Sequence, residues 1–293
     1  MITLNEHLKN TFNTKVYKLS LNAGMTCPNR DGTLDMRGCI FCSSGGSGEF
    51  AASPSLSITE QIEQAKLRVA KKLPKCASGV KYIAYFQAYT NTYAPVEKLE
   101  KYFSEAITHP DIVALSIATR PDCLPPDVLK LLSKLNKIKP VWMELGLQTI
   151  HPSTTDYIRR GYDLECFNTA VRNLAAINVE VIVHVILGLP FETEDMILAT
   201  VRYVATLDGV KGIKLQLLHV LAGTDLALDY EKGIFRTLEF DEYVELAVKC
   251  LKILPPDMVV HRLTGDGAKS LLIAPLWSAD KRPVLQAIER GIK

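Results

Sequence analysis

The sequence predicts an α/β fold made of repeated strand–helix units on a mostly parallel sheet, and three observations carry that expectation. Short β-branched or aromatic runs alternate with longer helical patterns from residue 15 onward. Most of those runs are continuously apolar, as in strands covered on both faces. From the second run on, their starts lie about 30 residues apart, room for one strand and one right-handed crossover helix. Such a sheet either curls into a barrel or opens into a doubly wound stack.

The predicted strands are 16–21, 80–87, 112–118, 141–147, 179–187 and 213–218, six in all. Between them the predicted helices are 59–72, 95–107, 125–135, 164–176, 194–206 and 241–253, several opened by Pro or by Thr and Asp caps. Acids fill the first turn after Thr59 and Thr193, as the helix dipole favours. Past residue 255 the pattern changes to PPDMVVHRLTGDGAKSLLIAPLW and a closing basic helix over 281–290. The expectation is a main domain over 1–255 with a short C-terminal extension over 256–293 packed on it.

At 293 residues with 47% hydrophobic content, the chain supports a sizeable core. The start MITLNEHLKN does not read as a secretory signal, and no window approaches ~18 uninterrupted apolar residues. The expectation is a soluble, cytoplasmic protein with no membrane partner. Seven cysteines, an odd number, fit a reducing compartment better than a disulfide framework. A net charge of +2 neither demands nor excludes nucleic acid.

The chemistry-bearing feature is CPNRDGTLDMRGCIFC, with Cys27, Cys39 and Cys42. Thiolates suit an iron-sulfur cluster or zinc, and the Cys39-x-x-Cys42 pair brings two sulfurs to one tight turn. Eleven residues rich in turn formers separate the first two cysteines, so the third thiolate arrives on a loop. Structural zinc normally takes four protein ligands, and the nearest spares, His7 and Cys76, lie outside the loop. An open iron-sulfur site ranks ahead of zinc, and unpaired thiols come third. Cys123, Cys166 and Cys250 read as small core hydrophobes or surface thiols.

Polar residues cluster just after the strand ends, at 88–92, 119–122, 148–149, 188–190 and His219, and the cysteine loop follows the first strand. All therefore collect at the carboxyl end of a parallel sheet, where such folds carry their sites.

These segments resemble the radical S-adenosylmethionine (SAM) superfamily, and within it the YtqA/YhcC-type group. TCPNRDGT, GCIFC, YFQAYTNTYAP, IATRPD, ELGLQT, RRGYD, VILGLPFET, LLHVLAGTDLA and HRLTGDG follow one another in the group's order over about residues 5–290. TRPD and ELGLQ also resemble the elongator catalytic subunit, which acts on transfer RNA. The eleven-residue spacing departs from the best-known superfamily motif but is usual in this group, whereas Tyr162 stands where the group more often has His.

The resemblance implies a partial (β/α)6 TIM-like barrel with a [4Fe-4S] cluster on Cys27, Cys39 and Cys42. SAM would bind the fourth iron through its amino and carboxylate groups and be cleaved to methionine and a 5′-deoxyadenosyl radical. It implies an electron donor such as flavodoxin or ferredoxin. Phe41 lies inside the cysteine pair, and Gln87, Tyr89, Thr90 and Asn91 stand where relatives bind the SAM amino group, although such residues also build ordinary turns. Ser116 and Thr119 are candidates for the ribose and Arg120 for a carboxylate or phosphate, with Asp122 as the alternative, purely structural partner of Arg120. Glu144 and Gln148 share a face of their strand. A carboxylate in so apolar a strand is costly without a partner, either SAM or a structural pair with Arg159 or Arg160. Arg160 is also a cofactor candidate. Gly146 and Gly188 permit close approach of a ligand or mark plain bends. His184 in VEVIVHVILGLP reads as a satisfied core residue.

The substrate candidates are His219, His261, Arg262 and Asp266. For RNA, Lys66, Arg68, Lys71, Lys72, Lys75 and Lys81, then Lys130, Lys134, Lys137 and Lys139, then Lys281, Arg282 and Arg290 are the phosphate candidates, against the reading of solvated helix faces. The functional expectation is a radical SAM enzyme modifying tRNA, on a wobble uridine side chain such as carboxymethylaminomethyl. A radical enzyme on a small, porphyrinogen-like substrate and a non-catalytic zinc or RNA-binding module are the alternatives.

Overall fold

A computed structural model describes residues 2–71, 79–265 and 267–292. Lys72, Lys75, Cys76 and Asp266 lie outside the described residues. The elements in chain order are β1 (Ile2–Thr3), α1 (Leu4–Phe12), β2 (Val16–Leu21), α2 (Ile58–Ala70), β3 (Lys81–Phe86), α3 (Val96–Thr108), β4 (Ile112–Thr119), α4 (Pro126–Asn136), β5 (Val141–Gln148), α5 (Pro152–Tyr157) and α6 (Leu164–Ala176). There follow β6 (Glu180–Leu187), α7 (Glu194–Ala205), β7 (Val210–Leu217), β8 (Val220–Leu221), α8 (Asp225–Glu231), α9 (Phe240–Ile253), β9 (Val259–Arg262), β10 (Leu272–Ala274) and α10 (Lys281–Ile292).

The main sheet is a curled, parallel half-barrel with strand order β1-β9-β7-β6-β5-β4-β3-β2. It has eight strands where the hydrophobic runs predict six. Both additions are short, and β1 precedes the first recognisable run. The stretch past residue 255 supplies β9, which pairs in parallel with β7 through Val259 and Val260. The strands are covered outside by helices whose apolar faces, such as Leu99, Phe103, Ala106 and Ile107 of α3, complete one continuous core. Among the described residues no helix is long and apolar enough to cross a membrane.

The bottom of the half-barrel is stoppered by α1, an element absent from the sequence prediction. Thr3 and Glu6 close its N-terminus with a reciprocal capping box. Leu4, Leu8 and Phe12, one helical face at i, i+4 and i+8, pack on Val16, Ile83, Ala114, Trp142 and Ile182 inside the sheet. The interior is thereby covered at the amino ends of the strands, and its cavity lies at their carboxyl ends.

Candidate active site

The open end is a cavity of about 260 Å³. Cys27, Cys39 and Cys42 line it together with Phe41, Gln87, Tyr89, Thr90, Thr119, Arg120, Glu144, Gln148 and Arg160, and with the substrate candidates His219 and Arg262. The strand-end rule therefore brings together residues that are up to 235 positions apart in the chain, from Cys27 to Arg262.

The cysteine loop is shaped by its own polar residues. The Arg30 amide donates to Cys27 O (2.8 Å) and the Cys42 amide to Cys39 O (3.0 Å), closing a turn at each end. The Arg30 guanidinium donates to Cys42 O (2.7 Å) and Ser43 O (2.6 Å), tying start to finish. Gly38 has φ +79°, and a Cβ there would lie 2.8 Å from Arg30 Nε, so the guanidinium occupies the space a side chain would need. Asn29 Nδ2 donates to Arg159 O (2.8 Å) and lies 3.5 Å from Cys39 Sγ, fastening the loop to the turn after α5. Asn29 reads in the sequence as a turn former only, and its role depends on a partner 130 residues away.

Burial raises the Cys39 thiol, and burial together with Cys39 pushes the Cys42 thiol up to about 12; the nearby Arg30 opposes both shifts. Thiolates are therefore favoured here only by a cationic ligand set, and metal loading must release protons. Among the described residues no group of three His, Cys, Asp or Glu side chains is placed to hold a single metal ion. Three thiols around one cavity mouth, without a fourth protein ligand, fit instead a cubane cluster whose last iron takes an exogenous ligand.

The rest of the mouth is braced through main chain. Arg160 donates to Leu147 O (2.8 Å), Thr149 O (2.7 Å) and Tyr162 O (3.0 Å). Arg120 forms a bidentate pair with Asp122 (2.9 and 2.7 Å) and donates to Arg160 O, as its structural alternative anticipates, while still lining the cavity. The Tyr162 ring meets both guanidinium groups, Arg120 at 4.8 Å and Arg160 at 4.7 Å from its centroid, and its hydroxyl donates to Gly146 O (2.8 Å). The two cation–π contacts give this tyrosine a defined place. The space beside Gly146 is taken by Gln148 Nε2, 2.5 Å from where a Cβ would be.

Several expectations need correction. Ser116 does not line the cavity, because its hydroxyl is buried and donates to Glu144 (2.6 Å). Asn91 instead spends its amide on Phe86 O and Ala118 O, closing the ends of β3 and β4. Gly188 has φ +86° and faces Leu238 rather than the cavity. His261 is half-buried, edge-on to Trp142 at 5.7 Å, and does not line the cavity. Glu144 pairs with Lys18 (2.6 Å), Lys214 and His184, not with Arg159 or Arg160; Arg159 pairs with Asp225 (2.7 Å). His184, read as a core residue, borders the cavity. The basic stretches are largely engaged at the surface: Lys66 with Glu63 and Asp111, Lys134 with Glu100, Lys139 with His109 O and Arg282 with Asp280.

Comparison with known proteins agrees with this geometry. The model of the radical SAM superfamily matches residues 27–204, and that of the radical SAM C-terminal domain matches residues 210–293. The chain is 47% identical to the uncharacterized protein YtqA of Bacillus subtilis (99% of this chain, 89% of the relative) and 36% identical to protein YhcC of Escherichia coli (97% and 89%). A shorter match, 24% identical over 163 residues, reaches the tRNA uridine(34) acetyltransferase of Methanocaldococcus jannaschii (55% of this chain, 30% of that protein). Among solved structures, the Elp3 protein of Methanocaldococcus infernus superposes with a TM-score of 0.69 at 18% identity, over 96% of this chain and 64% of that one, so this chain spans less than two thirds of that structure. The likeness to Elp3 is one of fold. The chain belongs to the radical SAM superfamily, whose members work with a [4Fe-4S] cluster, S-adenosylmethionine and a reductant.

Proposed function

We propose that this radical SAM enzyme modifies transfer RNA, at a wobble uridine side chain such as a carboxymethylaminomethyl group, with flavodoxin or ferredoxin as electron donor. The observation that carries the reading is the match over 163 residues to a protein named as a tRNA uridine(34) acetyltransferase. The Elp3-like fold and the mouth geometry are compatible with it.

Cys27, Cys39 and Cys42 would hold a [4Fe-4S] cluster, which together with SAM would supply reductive cleavage to methionine and a 5′-deoxyadenosyl radical. The chain's own part is placement. Arg30 and Asn29 fix the thiol loop, Phe41 packs against the apolar cluster that contains Ile40, and α1 covers the interior below. Gln87, Gln148, Thr90 and Arg120 rim the cavity beside the thiols, where they would receive the polar groups of SAM. The test is a mass-spectrometric comparison of tRNA nucleosides between parent cells and cells lacking the enzyme. Accumulation of one wobble-uridine precursor is expected. An unchanged profile would reject the tRNA reading in favour of a small-molecule substrate.

A further inference from the structure

The chain does not leave the cavity after Cys42. Residues 43–50 run as a strap along its edge, and Ser43, Gly46, Ser47 and Glu49 line it. Arg30 holds the start of the strap at Ser43 O (2.6 Å), and Arg68 reaches its far end at Phe50 O (3.1 Å). Between these points the Tyr89 amide donates to Gly46 O (2.9 Å) and the Tyr89 hydroxyl to Ser44 O (2.5 Å). The approach is close: a Cβ on Gly46 would strike the Tyr89 ring, and one on Gly48 would lie 2.6 Å from Ala88 Cβ. The strap therefore lies directly on residues 88–89, the turn that follows β3.

The strap delivers one charged side chain to the site. Glu49 is half-buried and borders the cavity together with Cys27, Cys39 and Cys42. The buried Ser43 hydroxyl donates to its Oε1 and fixes the carboxylate beside the start of the strap. Among the described residues no lysine, arginine or histidine pairs with Glu49. A carboxylate offers about four lone-pair sites, so most of its accepting capacity is left for a ligand.

The other acceptors around the cavity are already taken. Among the described residues two carboxylates line it, Glu49 and Glu144. Glu144, on the floor, accepts at Oε1 from Lys18 (2.6 Å) and Ser116 (2.6 Å), and at Oε2 from Lys214 and His184 Nε2 (2.8 Å). Burial, and after it Lys214, holds His184 down to about 4, so this donor is a neutral ring. Residues 87–91 read Gln-Ala-Tyr-Thr-Asn and contain no acid. The Gln87 carbonyl accepts from Ser20 (3.2 Å), and the Tyr89 hydroxyl is spent on the strap. Toward the ends of β4 and β5 the lining turns cationic, with Arg120 and Arg160. An amine that enters beside the thiols thus meets its carboxylate on the strap. SAM brings such an amine: a nitrogen that gives its lone pair to iron keeps two N–H groups, and these gain most from a charged acceptor. We propose that Glu49 binds the amino group of SAM, so that the strap, and not the turn after β3, supplies the carboxylate at the amino-acid end of the cofactor. Glu49 acts on the cofactor alone, so the assignment stands whatever the substrate is.

The test measures binding without turnover, on cluster-loaded protein kept oxidised, by equilibrium dialysis. SAM is compared with S-adenosylhomocysteine, which keeps the amine but has no sulfonium charge, and with 5′-methylthioadenosine, which lacks the amino-acid end altogether. Affinities are referred to the loaded fraction, read from cluster absorbance, so a difference in loading does not enter. Glu49→Gln keeps an oxygen for the Ser43 hydroxyl and removes the charge. It should weaken SAM and S-adenosylhomocysteine by roughly tenfold each and leave 5′-methylthioadenosine unchanged. Three results would overturn the proposal. An unchanged SAM affinity leaves Glu49 without this ligand, a loss for SAM that S-adenosylhomocysteine does not share assigns it to the sulfonium, and an equal loss for all three ligands assigns it to the shape of the strap.

Discussion

The mouth and the floor of the half-barrel are both polar, and they satisfy that polarity in opposite ways. At the mouth, Arg30, Arg160 and Asn29 donate to backbone carbonyls. Their positive groups hold loops in place, and the thiols are left for a cluster. On the floor, Lys18, Lys214, His184 and Glu144 bond to one another, with little main chain involved. A mouth built on carbonyls can lose a side chain and keep its barrel, whereas a floor built on mutual charges cannot. The difference separates what loads the cofactor from what keeps the interior folded.

The largest expected effect breaks the mouth alone. Cys39→Ala should abolish cluster assembly and SAM cleavage while leaving the apo protein's far-ultraviolet circular dichroism and melting temperature near those of the parent. Retained cleavage would show that the thiol is not a ligand.

Next in size is the floor. Glu144→Ala strands the buried Lys214 and the half-buried Lys18, and removing one partner of such a buried ionic cluster costs about 3–5 kcal/mol. Denaturant unfolding of the apo variant should show that loss, and a change under about 1 kcal/mol would mean that water or a shifted lysine reaches the site.

A third experiment uses pH to separate the regions. His184 is held at about 4 rather than its usual 6.5. Between those values the unfolded chain binds a proton that the folded chain does not, so this group makes stability fall as pH drops from about 6.5 to 4. Melting temperature should decline over that window in the parent and decline less in His184→Phe. An identical slope in both would place the acid sensitivity elsewhere.

The smallest effect sharpens the mouth. Tyr162→Phe removes the hydroxyl that reaches Gly146 O and, at longer range, Gln148 Oε1, but keeps the ring against Arg120 and Arg160. The expected cost is about 1 kcal/mol in unfolding free energy with the cluster still loading, whereas Tyr162→Ala should also slow SAM cleavage by opening the space between the two arginines. Equal behaviour of the two variants would leave the stacked ring without a role.

The same contrast explains what the sequence discloses. The mouth is legible because its signals are local: a cysteine spacing, turn formers, and polar residues just past apolar runs. Glu144 stands out for the same reason, as one charge in an apolar strand, but its partners do not, since they arrive from β2, β6 and β7 and depend on register. Lys18 in VYKLSL and Lys214 in GIKLQL carry the signal that Glu144 carries, a lone charge in a strand covered on both faces. Matching those three positions would have revealed the network and moved His184 from the core to the cavity. Ser116, Asn91 and His261 stand outside the cavity lining because their contacts lie with Glu144, a strand end and Trp142, which register sets and no local signal discloses. The stopper α1 was legible in Thr3-x-x-Glu6 and the 4, 8, 12 spacing of apolar residues.

The most direct test of the account is Mössbauer spectroscopy of the anaerobically reconstituted protein, loaded with 57Fe and sulfide, before and after SAM is added. The account predicts a [4Fe-4S] spectrum in which one iron site, the one without a cysteine, changes on SAM addition while the other three do not. A spectrum indifferent to SAM, or a colourless protein that retains zinc instead of iron, would contradict it.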